Sequence, residues 1–213
     1  MEHDFWHRRW AKNEIAFHEP QAHPLLLRYL AALALPTGSR LFLPLCGKTL
    51  DIGWLLAAGY RVAGAELSEL AVQQLFDELG RTPAISAQTE GLSLYRSEGL
   101  EVFVGDIFAL HGTQLGAVDA VYDRAALIAL PEPMRSRYAR QVSDLSQRAP
   151  QLLISIEYDQ SQQPGPPFAV PAEELQRLYG EDYRLCMLER QALAGGLRRQ
   201  CAADEVVWQL QPR

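Results

Sequence analysis

Cysteine is scarce in this chain. Cys46, Cys186 and Cys201 are the only three in 213 residues. An odd count without a CxxC pair gives neither a disulfide framework nor a zinc-ligand spacing. Positive charge is also in deficit, with 20 Lys and Arg against 26 Asp and Glu and a formal net charge of −6. No basic stripe stands out, which excludes a nucleic-acid partner from the expectations. Long apolar runs are missing. The most apolar helix candidate, about Pro24 to Leu35, is interrupted by Arg28 and too short to span a bilayer, so no membrane partner is expected. The opening residues Met-Glu-His-Asp-Phe-Trp resemble no secretory leader, and a cytoplasmic location is the expectation. The histidine pairs His3 with His7 and His18 with His23 are too sparse for a metal site and read as surface or lid residues. Repeats and composition breaks are absent as well. The expectation is a monomeric single domain over 1–213, with an N-terminal extension over 1–39 and a core over 40–213.

What is present is the composition of a globular protein, 48% hydrophobic and 22% charged. Strand-like and helix-like runs alternate, which predicts an α/β sheet covered on both faces. Strands are predicted at about 40–45, 61–66, 101–105, 118–122, 151–157, 183–189 and 204–210. Helices are predicted at about 48–58, 68–79, 132–147 and 171–180. The last two strands have no helix between them and read as an antiparallel hairpin at a sheet edge, joined through Ala194-Gly195-Gly196. Five βα units closed by a hairpin is the arrangement of the class I methyltransferase sheet, a Rossmann-like seven-stranded fold whose last strand is antiparallel. Trp6 and Trp10, four apart, share one helix face ahead of the first strand. That helix either caps the core or forms a lid whose indoles cover a flat or cationic ligand.

The stretch from Leu41 to Glu69 is the most informative. A buried strand, a glycine turn, a helix, a second glycine turn and a strand ending in an acid make one βαβ nucleotide-binding unit. Gly47 lets the backbone approach a ligand, and Glu66 follows nineteen residues later, where Rossmann-type sites place the carboxylate that binds ribose hydroxyls. Ser68 is positioned to cap the next helix, which leaves Glu66 free for a ligand. Lys48-Thr49 after Gly47 is not a Walker A tail, because Phe42 stands where that motif needs glycine. The dinucleotide fingerprint fails too, since the loop has one glycine where three are wanted.

Ligands in open α/β sheets sit beyond the carboxyl ends of the strands. The other strand tips supply Asp106-Ile107, Asp123-Arg124 and Glu157-Tyr158-Asp159. Asp106 either accepts from an adenine amino group or simply turns the chain. Arg124 either pairs locally with Asp123 or orients an anionic substrate. Cys46, with no histidine near it in sequence, reads as a small buried filler.

These pieces together resemble the bacterial thiopurine S-methyltransferase family. The resemblance rests on Trp6-(x3)-Trp10 with Ile15-Ala16-Phe17-His18, Pro44-Leu45-Cys46-Gly47-Lys48, Gly64-Ala65-Glu66-Leu67-Ser68-Glu69, Gly105-Asp106-Ile107-Phe108, Tyr122-Asp123-Arg124-Ala125-Ala126-Leu127 and Pro164-Gly165-Pro166-Pro167-Phe168. It implies S-adenosyl-L-methionine as methyl donor and a small thiol-bearing aromatic or heterocyclic acceptor, with selenium and tellurium detoxification as a family-level extension. It implies cofactor contacts at Trp6, Trp10, Leu45, Gly47, Glu66, Asp106, Ile107 and Arg124. It implies that Phe17 and Arg124 face the acceptor, with Arg124 the catalytic candidate. Relatives carry an arginine before the final strand, which Arg198 or Arg199 would represent here. The competing readings are a nicotinamide-dependent oxidoreductase, which would need more glycines in the first turn, and a non-catalytic nucleoside-binding module.

Overall fold

The structure, a computed structural model, describes residues 3–15 and 18–213. Its centre is a nine-stranded mixed sheet in the order β3-β4-β5-β2-β1-β6-β7-β9-β8. The strands are β1 (Arg40–Pro44), β2 (Arg61–Glu66), β3 (Ala84–Ala87), β4 (Ser93–Ser97), β5 (Leu100–Val104), β6 (Ala120–Arg124), β7 (Gln151–Tyr158), β8 (Tyr183–Ala192) and β9 (Ala203–Pro212). β5, β2, β1, β6 and β7 pair in parallel. Their sequences are apolar runs buried on both faces, as parallel strands require. All seven expected strands are present. β3 and β4 are additional, an antiparallel pair extending the sheet beyond β5. β3 was invisible to pattern reading because all four of its residues are exposed.

The terminal hairpin forms as expected, with β8 on the sheet edge and β9 inserted antiparallel between it and β7. This insertion brings the amino end of β9, from Ala203 to Glu205, to the edge where the parallel strands have their carboxyl ends. Ile156 of β7 lies opposite Glu205.

Helices cover both faces. α3 (Asp51–Ala57) and α4 (Glu69–Glu78) bury Ile52, Leu55, Val72, Leu75 and Phe76 on one side. α6 (Glu132–Leu145) and α7 (Ala172–Tyr179) bury Tyr138, Val142, Leu175 and Tyr179 on the other. A single turn, α5 (Gly112–Leu115), precedes β6. Ahead of the core lie α1 (His3–Ala11) and α2 (Pro24–Tyr29). The expected helix from Pro24 to Leu35 is shorter than its pattern suggests. It tightens into a 3-10 turn over Leu30–Leu33 and stops at Ala34, which takes a left-handed conformation. Helix α3 likewise starts at Asp51 and not at Lys48, because the Cys46-to-Leu50 segment turns beneath α1 first. Among the described residues, no helix is long and apolar enough to cross a membrane.

Candidate functional site

The strand tips open onto one cavity of about 410 Å³, within the usual range for small-molecule sites. Its floor comes from the first three parallel strands, through Leu45, Cys46 and Gly47 after β1, Glu66 at the end of β2, and Asp106 with Ile107 after β5. Arg124 and Ala125 after β6, Ile154 and Ile156 of β7, and Glu205 of β9 continue it toward the hairpin. Trp6 and Trp10 of α1 and Pro166 with Pro167 border it from outside the sheet.

The backbone at these tips is unusual. Leu45 and Ala125, neither a glycine, adopt φ of 47° and 61°. Left-handed non-glycine residues cost roughly 1–3 kcal/mol and concentrate at ligand sites. Gly47 follows at φ +54°, and a Cβ there would lie 3.0 Å from Cζ2 of Trp10. The indole therefore rests directly on the turn, and only glycine lets it do so. Gly64 has a packing role, since a Cβ there would sit 2.8 Å from the Cys46 sulfur. Cys46 is thus the buried filler the sequence suggested. Burial, with the Glu66 charge second, pushes its thiol well above the ordinary value.

Glu66 joins the first two turns. Oε2 accepts from the Gly47 amide and Oε1 from the Ser68 amide, both at 2.8 Å. Ser68 does cap α4, its Oγ accepting from Ala71 at 3.3 Å. Ser68 thus takes the capping role as expected, and Glu66 in addition holds two backbone amides. Each carboxylate oxygen retains a second lone pair for a ligand hydroxyl. Glu66 is 6% exposed. Burial raises its pKa, opposed by the amides of Ser68, Gly47 and Leu67.

Asp106 does turn the chain, accepting from the Phe108 amide at 3.0 Å, and its position also borders the cavity. Arg124 does not pair with Asp123. Alternation along β6 sends the two side chains to opposite faces. Asp123 turns inward to accept from Tyr138 Oη at 2.7 Å and the Leu127 amide at 3.1 Å. Arg124 meets Glu19 at 3.4 Å. Lys48 binds Glu78 at 2.6 Å, which agrees with rejecting a phosphate loop. Arg198, and not Arg199, borders the cavity, and its Nη2 donates to the Pro166 carbonyl at 2.6 Å. Of the expected contacts, Trp6, Trp10, Leu45, Gly47, Glu66, Asp106, Ile107 and Arg124 all line this one cavity. Phe17 lies outside the described residues.

Sequence reading missed Glu205, and it misread His23. The latter is 5% exposed, neither surface nor lid. His23 Nδ1 caps α2 by accepting from the Leu25 amide at 3.3 Å, while Nε2 reaches Glu205 Oε1 at 3.4 Å. His18, expected as a surface or lid residue, lines the cavity. Burial first and the neighbouring Lys48 second lower its pKa.

The comparisons with known proteins agree with this geometry. The model of the thiopurine S-methyltransferase family matches residues 1–211. The thiopurine S-methyltransferase of Xanthobacter autotrophicus is 51% identical over 212 residues, covering 99% of both chains. That of Teredinibacter turnerae is 51% identical over 210 residues, covering 99% of this chain and 97% of its own. Among solved structures, a 1,6-didemethyltoxoflavin-N1-methyltransferase from Burkholderia thailandensis, crystallised with S-adenosylhomocysteine, superposes with TM-score 0.68 at 14% identity. The match covers 99% of this chain and 87% of that one. A methyltransferase from Anabaena variabilis gives 0.67 at 14% identity, over 99% and 95% of the two chains. A Rossmann-like sheet, one strand-tip cavity and end-to-end similarity lead to one conclusion: the chain belongs to the thiopurine S-methyltransferase family and is an S-adenosylmethionine-dependent methyltransferase.

Proposed function

We propose that the acceptor is a thiol on an aromatic or heterocyclic compound and that the enzyme methylates its sulfur. The observation that carries this reading is the continuity of the cavity. It holds a buried acid at the tip of β2 and, beyond Leu45 of the intervening β1 turn, an arginine at the tip of β6, from which it runs on over Ile154 and Ile156. An acid at the first tip suits ribose hydroxyls, and a guanidinium at the second suits a thiolate.

S-Adenosylmethionine, when bound, supplies an electrophilic methyl group on a sulfonium. The chain's own residues then have three tasks. Glu66 fixes the nucleoside by its hydroxyls, with Leu45, Gly47, Asp106 and Ile107 along the same floor. Trp6 and Trp10 offer indole faces, which attract cations. Arg124 aligns the acceptor anion, with Arg198 at the Pro166 loop. No strong general base is required, because thiols of this class ionise near neutral pH. Alignment of the reacting atoms is the main contribution, worth up to roughly 7–11 kcal/mol in the best intramolecular models. Helix α1 and the proline loop act as the cover that excludes water. Selenium and tellurium compounds are acceptors of the same soft-nucleophile type, and detoxification is the role that follows.

The test is a screen of thiols and chalcogen compounds with S-adenosylmethionine, read by product mass, beside titrations with S-adenosylhomocysteine and NADH. Methylated aromatic thiols and binding of S-adenosylhomocysteine alone are expected. Binding of NADH, or methylation confined to oxygen or nitrogen acceptors, contradicts the reading.

A further inference from the structure

Glu205 lines the cavity from the hairpin side, and neither the sequence reading nor the proposed chemistry employs it. Its place follows from register. Arg124 of β6 lies opposite Ile154 of β7, and Ile156, two residues on, lies opposite Glu205 of β9. All four positions share one face of the sheet. Arg124 and Glu205 therefore flank the Ile154–Ile156 strip two strands apart, on the order of 10 Å across the sheet.

The carboxylate is built in. His23 Nδ1 is occupied by the Leu25 amide, so its proton sits on Nε2, which faces Glu205 Oε1. Gln191 Nε2 donates to Oε2 at 3.2 Å. Behind His23, its own amide donates to Asp51 Oδ1 at 2.6 Å, and Tyr122 Oη meets Asp51 Oδ2 at 3.1 Å. The His23 hydrogen bond, outweighing burial, holds the Glu205 carboxyl below the ordinary range. An anion fixed from behind and open to the cavity in front is a hydrogen-bond acceptor aimed at a ligand.

We propose that Glu205, oriented by His23 and Gln191, accepts a ring N–H of the methyl acceptor and so selects N–H-bearing heterocyclic thiols over those without the N–H. This rests on the thiol-methyltransferase reading above. Arg124 takes the sulfur end of the acceptor, Ile154 and Ile156 its flat face, and Glu205 its far edge.

The test compares indole-4-thiol with benzothiophene-4-thiol, a bicyclic thiol of nearly the same shape that has ring sulfur in place of the N–H. Their affinity for the enzyme saturated with S-adenosylhomocysteine is measured by calorimetry, and kcat/KM by product mass. The wild type is expected to favour the N–H compound by about tenfold or more in both readouts, the usual strength of a hydrogen bond to a charged group. Glu205→Gln should reduce that ratio and Glu205→Ala should bring it close to one. Affinity for S-adenosylhomocysteine alone reports whether each variant is folded. A ratio near one in the wild type, a ratio unchanged in both variants, or an equal loss on both thiols overturns the proposal. The last outcome would mark Glu205 as a strut for His23. Binding of both thiols without methyl transfer to either would instead sink the underlying S-methyltransferase reading, with the calorimetric ratio still deciding the role of Glu205.

Discussion

Asp123 and Arg124 are adjacent in sequence and opposite in role, because β6 turns one inward and the other to the cavity. Asp123 is fully buried, and burial raises its pKa to about 6, opposed by the Tyr138 hydroxyl and backbone amides. Its folded-state value thus lies above its unfolded one. The native state binds the extra proton between those values, so its share of stability is present at low pH and lost as pH rises from about 4 to about 6. A shift of that size corresponds to roughly 3 kcal/mol. Glu66, raised in the same direction, adds with the same sign. Urea denaturation of Asp123→Asn across this window should show a flatter fall than the wild type, and an unchanged slope would refute the assignment. Arg124 lines the cavity and meets Glu19 at its edge, and the proposed reading gives it the acceptor. Arg124→Ala should lower kcat/KM for an anionic thiol by about 10- to 100-fold, the range for hydrogen bonds to charged groups. Kinetics at saturating S-adenosylmethionine check this, and an unaltered kcat/KM would remove Arg124 from the acceptor site.

Among the elements, the turn after β1 and helix α1 form one unit. Trp10 packs on Gly47, whose φ and lack of Cβ are both required. Gly47→Ala should cost about 1–2 kcal/mol from the left-handed backbone alone. It should also push the indole away and weaken S-adenosylhomocysteine binding. Thermal unfolding and calorimetry on this variant check both, and wild-type affinity would show that α1 is independent of the ligand. This unit was legible in the sequence. The single glycine, the acid nineteen residues on and the Trp6-Trp10 spacing all belong to segments whose local patterns fix their positions. Glu205 was not legible, for a topological reason. Ligands are expected at the carboxyl ends of parallel strands, but β9 runs antiparallel, so its amino end reaches the site. His23 escaped for a similar reason: its partners Asp51 and Glu205 are distant in sequence and meet only through the packing of α2.

For the molecule as a whole, apolar runs and glycine turns sufficed to predict seven strands and the closing hairpin, because each of those strands has residues buried against a helix layer. β3 lies outside that layer's reach, whereas the short β4 does bury Leu94 and Tyr95, the latter against Phe76 of α4. Ala84–Ala87 buries no residue, and its pairing with β4 is a tertiary fact that no local period records. The fold has one consequence at this scale: a single cavity carries Glu66, Arg124 and the hairpin residue Glu205 on one edge of the sheet. A crystal structure of the enzyme with S-adenosylhomocysteine and an aromatic thiol tests this most directly. A ribose hydroxyl is expected within about 2.6–3.2 Å of a Glu66 carboxylate oxygen, and the thiol sulfur on the Arg124 side of the cofactor sulfur. A nucleoside bound away from Glu66, or a thiol outside the space between Arg124 and Glu205, would contradict it.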